Sequence, residues 1–431
     1  RESVEILRHR FIREGFLYES VSYTNYYPKS IAFETSFAFD ADFADMFIVR
    51  GFLDGDVGKK TGIAVSGERV SVTYIGADNI RRETRIEWDR PPARTSPDGT
   101  ATYELELEPR ETQTITFVIM PVIADEAPRV QPYAEALQSL EAAYRDWERE
   151  TTAVESDMPL FDRLFSRGLK DLRALLTDVG YGSFPVAGLP WFAVPFGRDS
   201  LITALQMLPV QPGVALGTLQ TMTAYQGVKV DDWRDETPGK IMHEIRYGEL
   251  ANTNQIPFTP YYGSVDATPL FVMLAAEYFQ WTGDEDAIRR LLPALERAME
   301  WIGRYGDLDG DGFVEYRAAS SRGIGNQGWK DSEDSIVHES GEYAKSPIAL
   351  VEVQGYVYHA RKGMASIYRK LGHPDKAEEQ ERAAEELQLR FERSFWMDDH
   401  DYYAIALDGE KRQGRAGTSN PGHLLMTGLP D

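Results

Sequence analysis

The sequence contains no cysteine among its 431 residues. Disulfide bonds, thiolate catalysis and zinc sites built on cysteine are therefore excluded. A chain without cysteine fits a reducing compartment, and we expect a cytoplasmic location. No apolar run approaches the roughly 20 residues that a membrane helix requires, so we expect no membrane-spanning segment.

Positive charge is also scarce, since 46 Lys and Arg residues stand against 69 Asp and Glu residues and the net charge is −23. Nucleic acid and anionic membrane surfaces attract basic proteins, so neither is expected as a partner. The sequence lacks a glycine-rich phosphate loop and a G-x-S-x-G motif, which leaves phosphoryl transfer and serine hydrolysis without support. Aromatic residues reach 12%, which suits a carbohydrate-handling protein without requiring one.

Alternating apolar and polar residues dominate the first part of the chain. Segments 70–74, 103–107 and 114–119 alternate, and turn-forming residues separate them. This pattern predicts an antiparallel β-sandwich over residues 1–127. Segment 39–47 carries three acids among aromatic residues, and it either binds a cation or, as we favour, forms a bend whose acids cap backbone amides.

The apolar period changes to that of helices from residue 157 onward. One stripe, for example, contains Leu160, Phe161, Leu164, Phe165, Leu172, Leu175 and Leu176. We predict a linker helix within 128–155 and then a catalytic domain over 156–431 with about eight helices. Long loops at 180–198, 228–265, 306–346 and 398–419 indicate an α/α toroid with its functional groups on loops. A plain α-solenoid is the alternative, but no fixed-period repeat supports it.

The loop at 325–335 carries the most informative chemistry. Trp329 precedes Asp331 by two residues. Sugar rings stack on aromatic faces, and cleavage of a glycosidic bond needs a proton donor. The alternative is a solvated acidic loop with one anchoring tryptophan.

Two further loops offer groups for a sugar site. The first contains Trp191 and Phe196 and ends at Arg198 and Asp199, an adjacent cation and anion that could bind sugar hydroxyls or merely cap a helix. The second supplies a set of polar and aromatic groups, each of which could equally be structural: His243, Glu244, Tyr262 and Asp266. His243 and Glu244 lack a third ligand at metal spacing, so zinc is rejected.

The segment 307–313 resembles the start of a calcium loop. Its twelfth position would be Ala318 and not the bidentate glutamate of such loops. A glycine-rich turn stiffened by aspartate hydrogen bonds is the better interpretation, and we expect neither a metal nor a cofactor.

Together these segments resemble bacterial and archaeal amylo-α-1,6-glucosidases, the glycogen-debranching-like proteins. The matching motifs are FDADFAD at 39–45, PWF at 190–192, FGRDS at 196–200, PGKI at 238–241, YGSVDATP at 262–269, DGDGF at 309–313, NQGWKDS at 326–332 and EVQGY at 352–356. The resemblance implies an N-terminal β-sandwich followed by an (α/α)6 barrel. It also implies an inverting mechanism like that of glucoamylases.

Site roles follow from the resemblance residue by residue. Arg198 and Asp199 match the pair that holds the terminal sugar, Trp329 matches the wall of its subsite, and Asp331 matches the general acid, with Asp334 as an alternative. The implied substrate-binding set is Trp191, Phe196, Arg198, Asp199, His243, Glu244, Tyr262, Asp266, Trp329, Lys330 and Glu352. The family's catalytic base lies later in the barrel, so we expect it outside these 431 residues. The stand-in candidates are Glu244, Glu249, Asp266 and Glu352.

The expected function is an exo-acting inverting glycoside hydrolase that releases glucose from α-linked glucosides, with α-1,6 branches of glycogen-like glucans as the substrate. The same fold acting on a small glucoside or a rhamnoside remains an alternative, as does a glycan-binding protein without catalysis. A sugar epimerase would need paired histidines, and the seven histidines here are scattered.

Overall fold

The computed structural model describes residues 3–51, 55–124 and 129–430. Two compact units share the chain. The first comprises Arg1–Trp147 with Gly248–Gln255, and the second comprises Glu148–Tyr247 with Ile256–Asp431. The boundary predicted at 127–128 lies outside the described residues, while the predicted linker helix corresponds to α2 at Tyr133–Glu150.

The first unit is built on two antiparallel sheets. A six-stranded sheet has the order β1-β2-β9-β6-β5-β4, and a three-stranded sheet has the order β3-β8-β7. The strands are β1 Val4–Arg13, β2 Phe16–Asn25, β3 Ile31–Ala38, β4 Lys59–Val65, β5 Arg69–Ile75, β6 Arg81–Trp88, β7 Arg94–Thr95, β8 Thr100–Leu107 and β9 Thr112–Ile123.

An apolar core joins the two sheets. Val72 on β5 and Phe117 on β9 pack in the same cluster as Tyr103 and Leu105 on β8. Each of these side chains alternates along its strand with a more exposed neighbour. Burial of one such side chain contributes about 1.5–3 kcal/mol to the stability of the fold. The predicted antiparallel sandwich is therefore confirmed.

The acidic segment before the short helix α1 (Met46–Val49) is a bend. Asp42 accepts a hydrogen bond from the amide of Ala44 at 3.1 Å, and Asp45 accepts one from the amide of Phe47 at 2.9 Å. Asp45 thereby caps α1. The interpretation of these acids as caps for backbone amides is confirmed.

Residues 248–255 return from the helical region to the first unit. They contain the short helix α6 at Glu249–Asn252. The carboxylate of Glu249 accepts hydrogen bonds from the Tyr74 hydroxyl at 2.6 Å and from the amide of Gly58 at 2.7 Å. The carboxylate of Glu249 is thus held by groups of the first unit.

The second unit is mainly helical. Its longer helices are α3 Pro159–Leu175, α4 Gly197–Met207, α5 Pro212–Ala224, α7 Ala267–Thr282, α8 Glu285–Arg304, α9 Val351–Lys370 and α10 Pro374–Phe395. Short strands lie between these helices and after α10: β10 Leu176–Asp178, β11 Ser183–Pro185, β12 Ala349–Leu350, β13 Trp396–Met397, β14 Tyr402–Tyr403 and β15 Ala406–Leu407. Two 3₁₀ helices occupy Asp232–Arg234 and Asn420–Met426. Each predicted helix has a counterpart here, although the last one is the 3₁₀ helix at Asn420–Met426.

Helix α7 lies at the centre of this unit and packs against α4, α5, α8 and α9. Eleven of its 16 residues are buried, which explains why its sequence is apolar on every face up to the last turn. Helix α3 differs, because Leu160 and Leu164 in its predicted stripe are 59% and 64% exposed. No helix in the described part of the chain is both long enough and apolar enough to cross a membrane.

Candidate active site

Loops and helix ends of the second unit enclose a cavity of about 520 Å³. Polar side chains on its wall come from Arg198, Asp199, His243, Asp331 and His423. Aromatic rings come from Phe192, Phe196 and Trp329. The long loops at 180–198, 228–265 and 306–346 therefore meet, as the toroid interpretation predicts.

The start of α4 is fixed by close backbone contact with the 242–244 segment. The amide of Gly197 donates a hydrogen bond to the carbonyl of His243 at 2.8 Å, and Phe196 forms a β-bridge with Glu244. A Cβ atom on Gly197 would lie only 2.0 Å from the carbonyl oxygen of Met242. Glycine is therefore required for the approach that puts residues 198 and 199 on the cavity wall.

Arg198 is the buried cation of the cavity. Its Nη1 lies 3.1 and 3.3 Å from the two carboxylate oxygens of Asp266, and its Nη2 lies 3.6 Å from Oδ2 of Asp331. Burial acts to lower the pKa of Arg198, but the charges of Asp266 and Asp199 outweigh it and the pKa is raised. The guanidinium thus stays charged between a buried carboxylate and one on the cavity wall.

Asp266 fixes this cation from behind. It immediately precedes α7, is fully buried, and also accepts a hydrogen bond from the Ser264 hydroxyl at 2.6 Å. Asp199 sits beside Arg198 on the first turn of α4, and burial raises the pKa of its carboxyl group. The Arg198–Asp199 pair is therefore more than a surface ion pair, because its cation is buried and held by Asp266.

The loop that carries Asp331 is held in shape by Asn326. The Asn326 amide donates to the carbonyl of Ser332 at 2.7 Å, and its Oδ1 accepts from the Tyr316 hydroxyl at 2.8 Å. Asp331 lines the cavity, and its side chain is 47% exposed. Asp334 is exposed and does not line the cavity, so the geometry favours Asp331 for a role in chemistry.

Trp329 and His423 form a stacked wall. Their ring centroids are 5.2 Å apart with planes at 30°, and Nδ1 of His423 lies 2.5 Å from the Tyr356 hydroxyl. The ammonium of Lys330 lies 5.1 Å from the centroid of the Trp329 ring. Burial lowers the pKa of His423, which favours its neutral form. Sequence reasoning missed His423, because no motif surrounds a histidine in this 3₁₀ helix.

His243 and Glu244 take different positions. His243 lines the cavity, and burial together with the charges of Arg198 and Arg246 lowers its pKa well below the usual value. Burial raises the pKa of Glu244, which accepts a hydrogen bond from Nε of Arg246 at 2.5 Å. Arg246 also donates to the carbonyl of Trp191 at 2.6 Å. Glu244 and Trp191 therefore form a layer behind the cavity wall.

Tyr262 and Glu352 do not line this cavity. The Tyr262 hydroxyl donates to the carbonyl of Tyr225 at 2.9 Å. Glu352 is fully buried and accepts a hydrogen bond from the Asn420 amide at 2.9 Å, and burial raises its pKa to about 7. The stand-in bases of the second unit do not line the cavity; they are Glu244, Asp266 and Glu352.

The calcium-like segment forms a turn. The carboxylate of Asp307 accepts from the amides of Gly310 at 2.7 Å and Gly312 at 3.0 Å, and both glycines have positive φ angles. These contacts confirm the aspartate-stiffened turn. The ammonium of Lys411 lies among the carboxylates of Asp309, Asp311 and Glu315. Oxygens of Asp307, Asp309 and Glu315 lie within 4.8 Å of one another, the spacing of a possible metal site.

Two family models match the chain. The N-terminal domain of some glycogen debranching enzymes matches residues 1–118, and amylo-alpha-1,6-glucosidase matches residues 180–420. A sequence search of curated proteins gave no match.

Two solved structures share the fold at low sequence identity. A putative kojibiose phosphorylase from the human microbiome has a TM-score of 0.58 and 9% identity, with 94% of this chain aligned to 55% of that one. A family GH78 rhamnosidase from Bacillus sp. GL1 has a TM-score of 0.50 and 10% identity, with 99% of this chain aligned to 37% of that one. The chain thus spans about half, or less, of these neighbours. Their likeness supports the predicted fold class, an antiparallel β-sandwich followed by a helical domain of the (α/α)6 type.

The amylo-alpha-1,6-glucosidase match covers more than half of the chain and includes every residue on the wall of the cavity except Leu172 and Leu175 of α3 and His423 near the end of the chain. The chain belongs to the amylo-α-1,6-glucosidase family.

Proposed function

We propose that this protein is an inverting exo-acting glycoside hydrolase that releases glucose from α-linked glucosides, with α-1,6 branches of glycogen-like glucans as the substrate. The observation that carries the proposal is that Asp331 and Trp329 line the same cavity as Arg198 and Asp199. An aromatic face, an exposed carboxyl group and a charged hydroxyl-binding pair are the parts that such a site needs.

Each group has a distinct role in this proposal. The rings of Trp329 and Phe196 contact the apolar faces of the terminal glucose. Arg198 and Asp199 bind its hydroxyls, since a guanidinium donates while a carboxylate accepts. Asp331 donates its proton to the glycosidic oxygen, and water attacks the anomeric carbon from the opposite face.

Inversion also needs a second carboxylate, about 6.5–9.5 Å from the acid, to activate the water. We assign this role to none of the described residues, because Glu244, Asp266 and Glu352 do not line the cavity and Glu249 belongs to the first unit. The described residues therefore supply the sugar-binding groups and the proton donor to the leaving group.

A small glucoside is the second candidate substrate. The cavity volume of about 520 Å³ lies within the range of small-molecule pockets, roughly 300–1,000 Å³. Such a volume accommodates a short saccharide without requiring an extended glucan groove. A substrate panel separates the two candidates.

Glucose release from panose, isomaltose, glycogen, trehalose and glucosylglycerate tests the proposal. The assay uses the full-length protein, because we assign the base to none of the described residues. We expect that protein to release glucose from panose and branched glucan, and Asp331→Asn to lower the rate about 10²–10⁴-fold. The matched control is Asp334→Asn, which alters an exposed acid in the same loop and should leave turnover unchanged. NMR of the freshly released glucose should show the β-anomer first, and the α-anomer as the first product would contradict inversion.

A further inference from the structure

The second unit contains another cavity, of about 220 Å³, that the proposed reaction does not use. Its wall includes Lys240, Trp301, Glu315 and Gln327. The hydrogen bond from the amide of Val265 to the carbonyl of Gln327, 2.9 Å long, connects two residues of this wall. Asp266 directly follows Val265, and Trp329 lies two residues after Gln327; both Asp266 and Trp329 belong to the first site.

Lys240 brings a buried ammonium group to the second cavity. The residue is 8% exposed, and its Nζ donates to the carbonyl of Asp235 at 3.2 Å. An ammonium group has three N–H donors, so this bond leaves capacity for a ligand. The same Nζ lies 5.8 Å from the centroid of the Trp301 ring, whose Nε1 donates to the Thr237 hydroxyl at 2.8 Å. The ring is therefore fixed in orientation.

Two further buried groups on this wall have no hydrogen-bond partner among the described residues. They are Nε2 of Gln327, in a residue that is 1% exposed, and Oε1 of Glu315, in a residue that is 2% exposed. The other carboxylate oxygen of Glu315 accepts from Lys411 at 3.2 Å. An unsatisfied buried polar group costs about 1–3 kcal/mol, so a ligand hydroxyl that reached either group would be stabilised.

The balance of charges identifies the class of ligand. Four acids contribute to the wall, Asp232, Asp235, Glu236 and Glu315, against two bases, Lys240 and Arg317. This excess of acids disfavours an anion. A divalent cation is disfavoured as well, since the lysine ammonium and the unpaired amide N–H would both repel it.

A neutral polyhydroxyl compound suits the remaining groups. A hydroxyl accepts from Lys240 or Gln327 and donates to Glu315, while the Trp301 ring can contact the C–H face of a sugar. The volume lies below the roughly 300 Å³ at which drug-sized ligand pockets begin. One sugar ring is therefore the expected size.

We infer that the cavity formed by Lys240, Trp301, Glu315 and Gln327 is a second binding site for a single neutral monosaccharide of the hexopyranose class. This site is built from side chains other than those of the first cavity. The inference therefore holds or fails independently of the proposed hydrolysis.

Equilibrium dialysis with labelled glucose tests the inference. The unaltered protein should bind two molecules of glucose, one in each cavity. Gln327→Leu should weaken binding at the second cavity about tenfold and leave one site. Because Nε2 of Gln327 is unpaired, this replacement by an apolar side chain of similar size should leave the thermal midpoint unchanged or raise it.

Asp199→Ala provides the matched variant in the first cavity. It should remove the other glucose, and combining it with Gln327→Leu should remove both. If Asp199→Ala leaves binding intact, the proposed function fails while the second site still stands. Lys240→Met tests the same cavity should Gln327→Leu fail to fold. Two results would overturn the inference. One is that folded Gln327→Leu or Lys240→Met still binds two molecules of glucose. The other is that the unaltered protein binds only one molecule, and Asp199→Ala removes it; water would then fill the second cavity.

Discussion

Replacement of Asp266 is expected to destabilise the helical unit strongly. Asp266 is fully buried and is the nearest anion to the guanidinium of Arg198, at 3.1 and 3.3 Å. Asp266→Ala leaves a buried cation that keeps, among the described residues, the longer carboxylate contact with Asp331 at 3.6 Å. Loss of one partner of a buried ion pair typically costs 3–5 kcal/mol. We expect about 3 kcal/mol, because Asp331 and Asp199 compensate part of the charge.

Asp266→Asn separates charge from shape. The amide oxygen can still accept from Arg198 and from the Ser264 hydroxyl, but the negative charge is lost. Hydrogen bonds to charged groups are about twice as strong as neutral ones. The loss should therefore be smaller than for alanine, about 1–2 kcal/mol.

Urea unfolding monitored by far-ultraviolet circular dichroism measures these differences. The control is Glu285→Gln, which breaks an exposed pair with Arg289 on α8 and should change the free energy of unfolding by about 0.5 kcal/mol or less. If Asp266→Ala were no more destabilising than Glu285→Gln, the account of Arg198 as a buried, Asp266-held cation would be refuted.

Three other changes have defined outcomes. Gly197→Ala should destabilise the folded protein by about 1–3 kcal/mol, because its Cβ would lie 2.0 Å from the Met242 carbonyl oxygen. Gly168→Ala on α3 is the control, since the space around Gly168 is open, and it should not lower the thermal midpoint. Glu352 has a pKa of about 7 in the folded protein against 4.5 in the unfolded chain, so only the folded state keeps this proton between those pH values, and the free energy of unfolding falls by up to about 3 kcal/mol as the pH rises. Glu352→Gln should flatten this dependence in urea titrations at pH 4.5 to 7. An unchanged slope in the variant would contradict the expectation. Lys411→Met should lower the free energy of unfolding by about 1–3 kcal/mol, a range that allows for solvent screening at this partly exposed site. Because the variant lacks the ammonium group among the carboxylates, calcium should raise its thermal midpoint but not that of the unaltered protein.

Local patterns predicted much of the fold. Alternation identified the strands of the sandwich, and the acids before α1 were interpreted correctly as caps because Asp45 acts on an amide two residues away. The short strands β10 to β15 were missed, because two or three residues give too little periodicity to recognise. Their pairing depends on the neighbouring chain and not on local pattern.

Long-range partnerships were harder to predict. The Trp329-x-Asp331 spacing and the Arg198–Asp199 pair pointed to side chains that do line one cavity. Nothing local indicated that Glu249 would bond to Tyr74, which is far away in the sequence, or that His423 would stack on Trp329. Such contacts join residues that are far apart in the sequence, so no local pattern predicts them. The same holds for which acidic side chains become buried in the folded chain.

Glucose release from panose by the protein and by Asp331→Asn is the most direct test of the central claim. The account predicts turnover by the unaltered protein and by Asp334→Asn, with a loss of about 10²–10⁴-fold in folded Asp331→Asn. Turnover by Asp331→Asn equal to that of the unaltered protein would contradict the assignment of Asp331 as the proton donor.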